Sequence, residues 1–276
     1  MPAALSSSSL EPELSAWQTV YSLNCGKHHI LSLDADEYAN YIALLSNGEV
    51  WTNGWQLALN QQFQFPIIRE IDADQFLIVE SRREQHDNGH IFDTAGRKLL
   101  TFNAGDAVED VVVQAGQIVV SYFDEGIGSG KPSSDGLAVF DCAGQQLFGM
   151  NSSGQPVFIL DCYALTRLGK DSVLAYTYTG FPLLELRLTD YHLQQQPTPA
   201  DFRGSHALTT TRGNVIFYGS YEETCFFWWN RNDKVRRFGD LPATSLHGIG
   251  EGKFLTYDAN SFTIIDALAL MREASM

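Results

Sequence analysis

One pattern constrains this chain more than any other: a two-strand unit that recurs about every forty residues from end to end. The clearest copy lies at 116–148, GQIVVSYFDEGIGSGKPSSDGLAVFDCAGQQLF. It holds an apolar strand, a loop, a second strand, a tight Asp-Cys-Ala-Gly turn and a third strand. Six copies of an inner hairpin align at 22–34, 71–83, 111–124, 164–178, 208–221 and 248–259. Each is a short strand, a turn that usually holds Gly, and an apolar strand that often ends in Tyr. The turns fall near Gly26, Asp74, Gly116, Asp171, Gly213 and Gly252, at spacings of 48, 42, 55, 42 and 39 residues. The longest spacing absorbs an inserted loop at 126–135 and a connection at 151–156. A second hairpin follows each first one, at 41–51, 89–102, 136–148, 182–194, 225–238 and 261–273. Asn47-Gly48, Ala95-Gly96 and Ala143-Gly144 are its turn signals.

Four strands in about forty residues is the period of a propeller blade. A single blade cannot bury both faces of its sheet, whereas blades packed in a ring bury both. The apolar runs at 118–122 and 217–218 suit strands covered on both sides. The expected fold is all-β: a six-bladed β-propeller of four-stranded antiparallel blades over 14–276, preceded by a flexible tail at 1–13. The strand around 14–21 is expected to pair with the last blade, because closing the ring removes exposed edges. The segment 266–275 is helix-friendly but is placed in that last blade. The repeat resembles the β-propeller superfold over roughly residues 15–273. Its turns Phe92-Asp93…Gly96 and Phe140-Asp141…Gly144 are similar to those of many bacterial propellers, and the runs SYFDEG and DCYAL resemble uncharacterised bacterial propeller-like proteins. There is no regular Gly-His…Trp-Asp pair, so the resemblance does not extend to WD40 repeats. It implies a fold and no activity.

The formal net charge of −15 opposes nucleic acid or an anionic membrane as a direct partner. It is compatible with a basic protein or a cation as partner, and equally with solubility alone. No apolar run reaches the ~18 residues of a membrane helix, and the first fourteen residues have neither the basic nor the apolar region of a secretory signal. Cys25, Cys142, Cys162 and Cys225 form no CxxC and read as reduced small hydrophobes, which points to the cytoplasm.

In a propeller, the loops between second and third strands share a rim with the crossovers from blade to blade. Under the alignment above these loops carry Asp36, Glu37, Glu84, Asp87, Asp124, Glu125, Asp135, Glu222, Glu223 and Asp258. Tyr38, Phe123, Tyr178, Phe181 and Tyr221 stand among them, against only Arg82, Arg83 and Lys131. Either the loops are simply polar, or this rim is a recognition surface for a basic protein partner. In the second case Asp87, Phe123, Asp124, Glu125, Tyr178, Phe181, Tyr221, Glu222 and Glu223 are its contact residues. An inhibitor or immunity protein that neutralises a basic nuclease-type toxin is one such form.

The inner strands begin beside the axis on that same rim. Asp110, Asp161, His206 and His247 lie at or near four consecutive strand starts and are expected at the mouth of the central channel. They would hydrogen-bond loops and neighbouring blades, hold a divalent metal, or act as an acid–base set on a small polar ligand. The interaction module needs no cofactor; the metal belongs to the alternative. A carboxylate beside an imidazole would raise the histidine pKa.

Other motifs carry less. His28 and His29 point to opposite faces of a strand. His86-Asp87 is a loop pair that could supply a base. No Gly-x-Ser-x-Gly elbow is present. The run GIGSG before Lys131 opens no phosphate loop and reads as a flexible insertion. Phe226, Phe227, Trp228 and Trp229 alternate across a strand, which suits packing between blades.

Overall fold

A computed structural model describes residues 13–82, 86–242 and 245–274. It shows six antiparallel sheets arranged in a ring, the six-bladed propeller expected from the repeat. The inner strands are Ile30–Ala35, Pro66–Glu70, Val108–Gln114, Asp161–Leu168, Ala207–Thr211 and His247–Gly250, one for each of blades 1 to 6. The first five blades run outward in chain order. The sixth takes its fourth strand from the other end of the chain: Gln18–Ser22 pairs with Ser261–Asp266, and Glu13–Leu14 adds a fifth strand outside it.

Each seam between neighbouring blades has its own apolar cluster. Successive residues of one strand serve opposite seams, as the two-residue period of a strand requires. Phe227 and Trp229 join Leu174 and Tyr176 of blade 4, while Phe226 joins Phe254 and Ile265 of blade 6. Their neighbour Trp228 is packed at that second seam. In the second strand of blade 3, Ile118 and Val120 face blade 2 and Val119 faces blade 4.

The structure corrects the alignment at its two ends. The turn at Gly26 does not join two strands of one blade. It lies in the connection from Gln18–Ser22 to Ile30–Ala35, so blade 1 turns instead at 36–40, and Asn47-Gly48 joins its second and third strands. The apolar residues flanking Gly26 imitate a hairpin because Leu23 and Cys25 are buried in the seam between blades 6 and 1. At the other end, Ala267–Glu273 is a helix. The Asp266 side chain caps it by accepting from the Ala269 N–H at 2.8 Å. The place of a last outer strand was already taken by Gln18–Ser22. The stretch around the GIGSG run holds two short helical elements, Asp124–Ile127 and a 3-10 turn at Ser133–Asp135. Gly126 is buried where a Cβ would come within 2.9 Å of the Asp106 carbonyl.

The axis is tightly filled. The Thr166 hydroxyl of blade 4 donates to the Gly248 carbonyl of blade 6 at 3.0 Å, across the ring. Gly248 must be glycine, since a Cβ there would lie 1.7 Å from the Leu208 carbonyl oxygen. The centre is therefore a plugged core with a cavity at each end, one lined by strand starts and the other by Asp34, Glu70, Val113 and Arg167 at strand ends. No helix among the described residues is long and apolar enough to cross a membrane. All four cysteines are free thiols.

Candidate functional site

At the end where the inner strands begin lies a cavity of about 310 Å³, lined by the first residues of the inner strands of blades 2 to 6. Of the four residues expected there, Asp110, His206 and His247 line it. Asp110 and His247 are in contact, with Oδ2 3.2 Å from the imidazole Nδ1. Asp161 is not part of the wall. Burial and the nearby charge of Asp124 push its pKa up to about 6.

Beneath the cavity sits Arg69, a buried guanidinium that sequence reasoning missed. It donates to the carbonyls of Ile68 and Val111 and to Asp110 Oδ1 at 2.7 Å. Asp34 Oδ2 stands 4.0 Å from its Nε and 3.5 Å from Arg167. Burial alone would raise the Asp110 pKa, but His247 and Arg69 hold it below the usual carboxylate value. His206 behaves otherwise than expected. Its ring packs edge-on against Tyr218 at 5.3 Å, and burial lowers its pKa instead of a carboxylate raising it. Among the described residues no three His, Cys, Asp or Glu side chains are placed to hold a metal ion.

Two further residues reach the cavity through a backbone device. The inner strand of blade 3 bulges between Val108 and Asp110, and that of blade 4 between Cys162 and Ala164. The extra residues are Glu109 and Tyr163, and both line the cavity. A bulge re-aims side chains that regular alternation would send to opposite faces, so Glu109 and Asp110 serve the same space. Glu109 is open to solvent at the cavity. Partial desolvation and the charges of Asp110 and Asp161 nevertheless push its pKa up to about 7. A carboxyl raised on folding weakens the fold as it ionises, so wild-type stability should fall between pH 4.5 and 7. Glu109→Gln should therefore melt about 2 °C above wild type at pH 8 and level with it at about pH 4. That corresponds to about 1 kcal/mol, well under the value for an enclosed group because the side chain meets solvent. A melting difference that does not change with pH would refute this.

Around the mouth the rim is aromatic. Phe65, Phe158, Tyr178, Tyr221 and Tyr257 are exposed on this face, with Phe158 at 60% and Tyr221 at 64%. Phe65 and Phe158 precede the inner strands of blades 2 and 4, and Tyr257 ends the second strand of blade 6. Five residues expected on this rim are placed otherwise, one of them, Phe181, an expected contact. Phe181 is only 5% exposed and supports Tyr163, Tyr178 and Tyr221 from below. Tyr38, with Asp36 and Glu37, belongs to the inner turn of blade 1 and so to the opposite face. Asp135 is buried against Gln146.

The acids of the rim are partly neutralised. Glu125 pairs with Arg82 at 2.6 Å, and that guanidinium lies 4.6 Å from the centre of the Phe123 ring. Glu223 pairs with Arg237 and accepts from the Cys225 thiol. Asp87, Asp124 and Glu222 are exposed. Arg83 and Glu84, and residues 1–12 of the expected tail, lie outside the described residues.

Comparison with solved structures returns propellers. Virginiamycin B lyase from Staphylococcus aureus matches with a TM-score of 0.53 at 10% identity, over 90% of this chain and 98% of that one. Hsv2 from Kluyveromyces lactis matches at 0.55 and 14%, over 83% and 71%. A chain of a mitotic checkpoint complex matches at 0.56 and 10%, over 96% and 94%. At such identities the likeness shows the fold alone. No family model and no curated protein sequence matches the chain. The fold is compatible with a protein-interaction module.

Proposed function

We propose that this protein is a non-catalytic recognition module whose mouth face binds a basic segment of a protein partner. One observation carries the reading: five exposed aromatic side chains share a single face, grouped around a cavity that holds carboxylates. Large rings at the centre of an interface act as anchors at low entropic cost. The net charge of −15 steers a cationic partner toward it. The checkpoint-complex chain lends the idea a precedent within the fold, as a propeller found in a protein assembly.

The test is fluorescence anisotropy with a labelled peptide of alternating arginine and alanine, against its glutamate counterpart. The arginine peptide should bind, and Tyr221→Ala should weaken it at least tenfold, about 1.4 kcal/mol or more. Lys at both Asp124 and Glu125 should mainly slow association, as should added salt. Equal binding of the two peptides, or affinity indifferent to Tyr221→Ala, would defeat the proposal.

A second reading, acid–base chemistry on a small ligand, is favoured by the Asp110–His247 contact. It is weakened because Asp110 already serves Arg69 and the Val111 N–H.

A further inference from the structure

Glu109 is the carboxyl that the fold brings to the mouth without giving it a partner. Among the described residues it has no hydrogen bond and no ion pair, and the charges that bear on it are the carboxylates Asp110 and Asp161. Its neighbour Asp110 has Arg69 and His247. The two acids are adjacent in sequence and share one cavity because of the bulge, yet only one is satisfied from within. Tyr163 and Tyr257 stand in the same wall. Rings beside a lone carboxyl are the surroundings that a planar cation fits, since a guanidinium stacks on an aromatic face while its edge forks to a carboxylate. The same face already holds one such arrangement, Arg82 over Phe123 and against Glu125.

We propose that the mouth is an anchor pocket for one arginine side chain of the protein partner, which enters between Tyr163 and Tyr257 and pairs with Glu109. This rests on the recognition reading above and adds the residue that the partner must supply. The space suffices, because about 310 Å³ lies at the lower end of ordinary ligand pockets. The walls select for charge as well. Among the described residues the cavity's one permanent cation is Arg69, which is buried under Asp110 and holds that carboxylate in place. An entering arginine also favours the ionised form of Glu109, so binding releases a proton at mildly acidic pH and strengthens as pH rises toward about 8. The other titratable and charged groups that face Glu109 are Asp110, Asp161, Arg69, His206, His247, Tyr163 and Tyr257.

Calorimetric titration with a five-residue peptide, Ac-Ala-Ala-Arg-Ala-Ala-amide, tests the inference. Its controls are the same peptide with citrulline in place of arginine, and free agmatine. The arginine peptide should bind at least tenfold tighter than the citrulline peptide and several-fold tighter than agmatine. Its affinity should rise at least fivefold from about pH 5.5 to about pH 8, and Glu109→Gln should abolish both the preference and the pH dependence. Equal affinity for arginine and citrulline would overturn it, as would wild-type behaviour of Glu109→Gln. Agmatine binding as tightly as the peptide would make the mouth a small-molecule site and also overturn it. The two proposals fail separately. Alternating-peptide binding that survives Glu109→Gln but is lost in Tyr221→Ala removes the anchor and keeps the recognition face. Alternating-peptide binding that neither variant weakens removes the face as well.

Discussion

Deleting residues 1–22 should lower the melting temperature by about 10 °C and leave the protein prone to aggregation. The deleted stretch contains the strand that closes the ring. Gln18–Ser22 is in register with Ser261–Asp266 through five pairs, from Gln18 opposite Ile265 to Ser22 opposite Ser261. Tyr21 stacks on Phe262 at 4.8 Å, and the Asp266 N–H donates to the Trp17 carbonyl at 2.8 Å. Each ladder hydrogen bond contributes about 1 kcal/mol net and each buried apolar side chain about 1.5–3 kcal/mol. Loss of the strand therefore removes about 5 kcal/mol or more, on the scale of a whole domain's stability. It also bares the edge of Ser261–Asp266, a template for pairing with another chain. A scanning-calorimetry difference below about 2 °C would show that the ring closes without this strand. The reverse test joins the partners covalently. Val20 and Thr263 are opposite in register, so cysteines at both positions should form a disulfide whose oxidised form melts several degrees above the reduced one.

The repeat was legible because blade packing imposes two-residue alternation on every strand and turn chemistry on every hairpin. Those demands left their trace at Ala115-Gly116 and Arg212-Gly213, where positive φ suits the tight turns. The misreadings arose where the same local signals served another connection. Gly26 also has positive φ, but it turns the chain from the closing strand into blade 1. That one shift carried Asp36, Glu37 and Tyr38 to the wrong face. The mouth was half legible. Strand starts place side chains near the axis, which found Asp110, His206 and His247. Glu109 and Tyr163 were hidden because a bulge is a difference in pairing between two strands, and neither EDVVV nor DCYAL contains a residue that marks one. Arg69 was hidden for a different reason. It sits within an inner strand, and its three hydrogen-bonding partners come from two blades.

Arg69 is where the fold and the candidate site depend most on one side chain. Replacing it by Met should cost about 3–5 kcal/mol, because a largely buried carboxylate loses its hydrogen-bonded guanidinium and keeps only His247. The change also strips donors from the carbonyls of Ile68 and Val111. The melting temperature should fall by about 6–10 °C. The pH dependence separates this cause from lost packing. In the wild type the Asp110 pKa is lowered on folding, so its contribution is present above the unfolded value and is lost as pH falls through the folded one. In Arg69→Met the carboxylate loses that support, its pKa rises, and protonation relieves it. The deficit of the variant should therefore shrink steadily from about pH 7 to about pH 4. The double variant Arg69→Met/Asp110→Leu should recover much of the loss, since removing both partners of a buried pair is far milder than removing one. A deficit that is constant with pH, or a double variant no better than the single one, would show that Arg69 acts by filling space. If the charge account holds, Arg69 fixes Asp110, Asp110 fixes the His247 ring, and the mouth keeps the shape in which Glu109 is left to meet a partner.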